Sequence, residues 1–305
     1  MALIAIVVAA IGATQPLVAV VGAGGNVGKL VALRLSDSHR VRAVVRDASK
    51  VASFLNRPNI EIVEAEVTGA SAEPGGSLER ALRGAVTVVA CTGTTAFPTK
   101  AWSTSGDTDV TPAFVSALLG ERLDVRAALA RLDAQGLNTP NNVDDAGVRA
   151  VLRAWAAAAD RAARRRFVLM SSIGVTKRGA FPFSVLNACG VLDAKAAGEE
   201  AVAREAKADG FAYTIVRPGQ LFGGPYDNNY YLGTLFQLDK DAATQDVELA
   251  IGDSLTGDTL RSTLAEVIAR SVEVGGPSGT DFTVVNRKGT PPSGEQIEAR
   301  LRALS

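Results

Sequence analysis

Three glycines at three-residue spacing, Gly22, Gly25 and Gly28, follow an apolar run, Leu17–Val21, and precede Leu30, Val31 and Leu35 at helical intervals. Glycines so placed have separate chemical uses. Gly22 ends a strand in a tight turn, and Gly25 lets backbone N–H groups close on a pyrophosphate. Gly28 lets the helix lie against the strand, its first amides at Asn26 and Val27 and its positive dipole end facing the phosphates. The spacing is GxxGxxG; in GxGxxG the third glycine would fall on Val27. A second polar group, Arg46, Asp47 and Lys50, follows the β-branched run at 41–45. A guanidinium there can grip the 2′-phosphate of NADP through two hydrogen bonds, where a carboxylate would repel it. Arg46 therefore points to NADP, with NADPH preferred over NADH. The alternatives are that Asp47 faces the ribose, as in NAD-selective sites, or that Arg46 is a solvated strand end.

These residues need a scaffold, and the chain alternates strand and helix patterns around them. Strands are expected at Leu17–Val21, 41–45, 60–63, 85–91, 166–172 and 211–216. Helices are expected at 51–55, 77–83, 148–163 and 191–208. That alternation predicts an α/β fold, a doubly wound parallel sheet of Rossmann-like type, with ligands at the carboxyl ends of its strands. Those ends are Gly22, Arg46, Glu66, Thr92, Ser172 and Pro218. Two segments depart from the rhythm. Residues 103–137 form an insertion, polar at first and then amphipathic through Phe114, Leu118, Leu129 and Leu132; one or two helices are expected there, packed on the main domain or on a partner. Residues 221–305 read as a smaller C-terminal lobe with strands at 247–251 and 281–285 and helices at 260–274 and 296–304, shaping a substrate pocket.

At 305 residues the chain suits one large domain, taken as 14–305. Its formal net charge is zero, so there is no electrostatic case for nucleic acid or an anionic membrane. The one basic cluster, Arg161, Arg164, Arg165 and Arg166, falls where cations would complement the end of the helix expected at 148–163. The two cysteines, Cys91 and Cys189, stand far apart and form no metal-ligand pattern. The single histidine, His39, lies away from the strand tips and is given no catalytic role. Residues 1–13 are apolar but too few to cross ~30 Å of hydrocarbon, and read as a targeting remnant or an apolar tail.

The GxxGxxG turn, VRD at 45–47, FVLMSSIGVTK at 167–177, GVLDAKAAGEE at 190–200 and YTIVRPGQL at 213–221 resemble atypical short-chain dehydrogenase/reductases. TGTTAFPTKAW at 92–102 and NTPNNVDDAGV at 138–148 are similar to the NmrA-like group, including NAD(P)-binding proteins of plant plastids and cyanobacteria. The insertion divides pieces that lie nearly adjacent in those relatives. The resemblance implies that Glu66 and Val67 flank the adenine, that Thr92 and Gly93 line the cofactor ribose, and that Pro218 borders the nicotinamide side. It implies a plastid stroma location, with the cytoplasm as alternative.

Reductases of this superfamily use Ser, Tyr and Lys, the last two as YxxxK on one helix face, where the ammonium lowers the phenol pKa. Here Ser172 matches the serine, with Ser171 beside it, and Lys195 matches the lysine, but the tyrosine position is Val191. Ser172 could orient a substrate or make only a loop hydrogen bond. Lys195 could bind the ribose or pair with Glu199 at i,i+4. Substitute acids are Asp193 and the tyrosines Tyr226, Tyr230 and Tyr231. Two functions stay open: an NADP-dependent reductase of a small carbonyl or quinone-like compound, or a cofactor-binding redox sensor or assembly factor with a protein partner.

Overall fold

The first strand, β1 (Leu17–Val21), is buried over its whole length and lies between two parallel neighbours, β2 (Arg40–Val45) and β4 (Thr87–Ala90). The computed structural model describes residues 15–223, 244–274 and 279–304. Within them β3 (Ile60–Glu64), β5 (Arg166–Met170), β6 (Ala212–Pro218), β8 (Asp246–Ile251) and β10 (Thr280–Arg287) complete an eight-stranded sheet in the order β3-β2-β1-β4-β5-β6-β10-β8. All pairs are parallel except β8 on β10. The short strands β7 (Gln220–Phe222) and β9 (Asp258–Leu260) pair separately. The chain reverses direction across the sheet between β1 and β4, which places the ligand crevice at their carboxyl ends.

Alternate residues of β1 feed two cores. Val18 and Val20 pack with α1 (Gly28–Leu35) and α7 (Arg261–Glu273) through Val31, Leu35, Leu264 and Ile268. Leu17, Ala19 and Val21 face α2 (Ser77–Leu82), α5 (Gly147–Ala158) and α6 (Val191–Asp209), among Leu78, Val151, Trp155 and Val202. A strand covered on both sides has no reason to alternate apolar and polar, which is why it reads as a continuous apolar run. The last helix, α8 (Gly294–Arg302), begins with a capping box between Ser293 and Gln296.

Three expectations need correction. Residues 51–55 form turns rather than a helix; Pro58 follows too soon for a second helical turn. The helix expected at 148–163 ends at Ala158, so the arginines do not complement it. Arg161 instead donates to the Ala208 and Asp209 carbonyls and Arg164 to the Asp209 carboxylate, serving the C-terminus of α6. The strands expected at 247–251 and 281–285 form as β8 and β10, but they extend the main sheet.

The insertion folds as two helices, α3 (Thr111–Gly120) and α4 (Val125–Ala134), the second capped by Asp124 Oδ1 on the amides of Arg126 and Ala127. Its apolar stripe closes over the main domain: Ala117, Ala128 and Leu132 cluster with Trp102 and Cys189, and Phe114 meets the Trp102 ring edge-on. Val115, Leu119 and Leu123 remain exposed. Among the described residues no helix is long and apolar enough to cross a membrane.

Candidate functional site

The carboxyl ends of β1 to β4 open into one cleft of about 570 Å³. Of the residues singled out from sequence, Gly22, Gly25, Arg46, Glu66, Val67, Thr92 and Gly93 line it. The glycine turn is closely built. Gly22 has φ +82°, and a Cβ there would stand 2.9 Å from the Thr92 nitrogen. A Cβ on Gly28 would stand 2.2 Å from the Gly22 carbonyl oxygen. Val27 is buried at the N-terminus of α1, and Asn26 precedes it between Gly25 and the helix. The first amides of such a helix have no partner within it and point outward.

At the β2 tip the two charged residues differ in what they hold. Asp47 is committed to its own turn: Oδ1 accepts from the Ser49 amide at 2.9 Å and the Ser49 hydroxyl at 2.5 Å. Those bonds, the hydroxyl's first, hold its carboxyl below the usual range. Arg46 makes one hydrogen bond among the described residues, a long one of 3.4 Å to the Thr104 carbonyl. Lys50, also lining the cleft, lies 3.7 Å from Asp47. The tip thus presents cations with spare donors.

Residues that pack against a nucleotide should leave polar atoms waiting for it. The hydroxyls of Thr92 and Thr94, both on the cleft wall, are buried and have no hydrogen-bond partner among the described residues, and the Ser171 hydroxyl is likewise orphaned. Buried hydroxyls without partners are rare in finished cores. These orphans, the close-built glycine turn and the uncommitted Arg46 fit a phosphorylated nucleoside ligand. Cys91 also lines the cleft, but burial pushes its thiol up to about 12, so it stays protonated at neutral pH.

Lys195 does not pair with Glu199. Glu199 is taken by Arg217, whose Nε and Nη2 donate to its two oxygens at 2.9 and 2.6 Å; Arg217 also holds Asp281. Lys195 Nζ instead donates to Asp144 Oδ1 at 2.7 Å, with both side chains largely shielded from solvent. Asp144 comes from a wide helical turn of π type, Asn141–Ala146, that leads into α5. Burial raises its carboxyl pKa, with Lys195 acting against that shift. A Cβ on Gly93 would lie 3.4 Å from Asp144 Oδ1 and 3.5 Å from Lys195 Nζ, so the pair borders the cleft at Gly93. Sequence reasoning missed Asp144. The signal available was Gly198, three residues beyond Lys195, where a Cβ would stand 2.5 Å from the Asp144 carbonyl.

The remaining candidates lie at the ends of β5 and β6. Ser172 Oγ donates to the Ile173 carbonyl at 3.0 Å, the loop hydrogen bond considered above. Pro218 is buried, and its carbonyl accepts from the Ile173 amide at 3.0 Å. The loop between is clamped from across the fold by Asp253, which accepts from the Gly174 and Thr176 amides. Val191 is buried among Val175, Leu192 and Ala196, with Phe183 packed against them. Asp193 is no free acid: it is held by Arg178 at 2.7 Å and Asn187 at 3.0 Å. Tyr226, Tyr230 and Tyr231 lie outside the described residues, as do residues 1–13. Among the described residues no group of three or more acidic, histidine or cysteine side chains could hold a metal.

A family model described as NAD(P)H-binding matches residues 22–273. No curated protein matches the sequence. The fold is similar to the oxidoreductase ylbE from Lactococcus lactis, with TM-score 0.58, 17% identity, and 94% of this chain and 96% of that one covered. It is also similar to ChuY, an anaerobillin reductase from Escherichia coli O157:H7, with TM-score 0.56, 17% identity and coverage of 91% and 100%. A short-chain dehydrogenase/reductase from Veillonella parvula in complex with NADP aligns with TM-score 0.52, 14% identity and coverage of 92% and 100%. Likenesses at such identity establish the fold and leave the chemistry to the site.

Proposed function

Since the chain belongs to the NAD(P)H-binding family, we propose that it binds NADP(H) in preference to NAD(H) and reduces a small carbonyl or quinone-like compound. The observation that carries the preference is Arg46, a guanidinium on the cleft wall with one long hydrogen bond among the described residues, beside an Asp47 whose Oδ1 is held by Ser49. A 2′-phosphate supplies the acceptors that this guanidinium lacks. Bound here, the nicotinamide supplies a hydride.

The chain's own groups bind, orient and hold protons. The amides of Gly22, Ala23 and Gly25 are spent on the Val44 and Gly22 carbonyls, which shape the turn, and those of Asn26 and Val27 at the start of α1 receive the pyrophosphate. Glu66 and Val67 flank the adenine, Thr92 and Gly93 take a ribose, and Ser171 and Pro218 border the nicotinamide side. Lys195 donates to ribose hydroxyls next to Gly93. A proton lost from Lys195 would strand Asp144 as an uncompensated buried carboxylate, a costly state. Lys195 therefore orients, and Ser172 or solvent supplies the proton. Titration with NADPH and NADH, followed by cofactor oxidation with a panel of quinones and aldehydes, tests the proposal. Tighter NADPH binding with slow oxidation is expected, and no affinity for either nucleotide would overturn it.

The Asp144–Lys195 pair yields a sharper expectation. Lys195→Met should destabilise the fold by about 3 kcal/mol, because it strands a buried charge, and should weaken NADPH binding about tenfold through lost charged hydrogen bonds. Adding Asp144→Leu should restore most of the stability and none of the affinity. Urea unfolding and NADPH titration read the two effects separately.

One observation favours a second reading, a cofactor-binding sensor or assembly factor without turnover. Val191 occupies the tyrosine position and is sealed among apolar side chains. If the rest of the site is competent, Val191→Tyr should raise cofactor oxidation at least about 100-fold, the usual contribution of a general acid. Overpacking against Phe183 should cost about 1–3 kcal/mol. A folded variant with no gain across the panel favours the sensor.

A further inference from the structure

The first limb of the insertion stands over Arg46. Thr104, Ser105 and Asp107 line the same cleft as Arg46 and Lys50. The Thr104 carbonyl accepts from Arg46 Nη1, and a Cβ built on Gly106 would lie 3.8 Å from Arg46 Nη2. The limb is held in shape by Ser103, which is 5% exposed. Its hydroxyl donates to the Lys100 carbonyl at 2.8 Å and accepts from the Gly106 amide at 2.9 Å. Asn138, at the other end of the insertion, donates to the Ser103 carbonyl at 2.8 Å and through its backbone to the Trp102 carbonyl at 2.7 Å. Trp102 is fully buried and donates Nε1 to the Thr95 carbonyl at 3.0 Å, in the loop after β4. Both ends of the insertion are thereby tied to the rim of the cleft.

We infer that residues 103–107 are a specificity element of the cofactor site, forming the outer wall of the 2′-phosphate subsite opposite the β2 tip. This rests on the NADP(H) reading above. The wall keeps Arg46 turned toward the cleft through the Thr104 carbonyl, and it offers the Thr104 and Ser105 hydroxyls to phosphate oxygens. Asp107 works in the opposite sense: its carboxylate lies on the wall of a cleft that must accept an anion, so it lowers the selectivity that Arg46 and Lys50 supply. The insertion then adjusts the choice of nucleotide, a role distinct from its apolar packing on Trp102.

The test is calorimetric titration of the full chain with adenosine 2′,5′-bisphosphate and with 5′-AMP, which differ only in the 2′-phosphate. Wild-type preference for the bisphosphate tests the NADP(H) reading by itself. Ser103→Ala unties the limb and should weaken the bisphosphate about fivefold, with AMP changed less than about twofold. Asp107→Asn should strengthen the bisphosphate about threefold at low salt, fading as ionic strength rises, with AMP unaffected. Asp107 is exposed, so its variant decides the matter if Ser103→Ala fails to fold. A wild-type preference that survives unaltered in the folded variants would overturn the wall and leave the NADP(H) reading standing. A wild-type chain without preference would overturn both.

Discussion

Gly28→Ala is expected to lose NADPH binding by at least about 100-fold and to unfold at lower denaturant than the wild type. The added Cβ would sit 2.2 Å from the Gly22 carbonyl oxygen and 2.8 Å from its carbonyl carbon. Both atoms are backbone at the end of a buried strand, so no side chain can swing aside. The helix must move by about 1 Å, and displacements of that size cost about 100-fold in well-positioned sites. Overpacking of this kind costs about 1–3 kcal/mol of stability. Gly179→Ala is the control, since a Cβ there meets nothing within 4 Å. If Gly28→Ala bound NADPH like the wild type, the pyrophosphate could not rest on the α1 amides.

The second large effect is expected at the β2 tip. Arg46→Glu should weaken NADPH by at least about 100-fold and NADH less than about threefold, measured by titration at fixed ionic strength. Two charge-assisted hydrogen bonds, each worth about 1.5–3 kcal/mol, would be lost, and a carboxylate would face the 2′-phosphate at close range. Asp47 cannot compensate, because a carboxylate has no proton to donate to a phosphate, and its Oδ1 is held in its own turn by Ser49. Equal losses for both nucleotides would remove the selectivity argument and place Arg46 among ordinary solvated strand ends.

Much of this architecture was legible before any coordinates. Buried parallel strands show as runs such as Leu17–Val21, and the glycine spacing marks the turn because only glycine fits positions where Cβ would strike backbone. Less legible were contacts between elements distant in sequence. The i,i+4 rule proposed Glu199 as the partner of Lys195, but Glu199 lies against Arg217, 18 residues on, and Lys195 meets Asp144, 51 residues back. The short segment at 51–55 has a helical composition, yet a helix needs room to propagate and Pro58 removes it. For Arg161 and Arg164, charge suggested the right physics, a helix C-terminus, but tertiary packing chose α6 over the helix that precedes them.

Residue order by itself determined the α/β alternation, the placement of the glycine turn after the first strand and the cation at the end of the second. Each of these is written in one residue type at one local spacing, and local sterics or charge make it readable. Only the tertiary structure decided that the insertion leans over Arg46, that Asp144 neutralises Lys195, and that the C-terminal strands continue the main sheet. Those facts depend on which surfaces meet, and the burial that rewards such meetings is set by the whole chain at once.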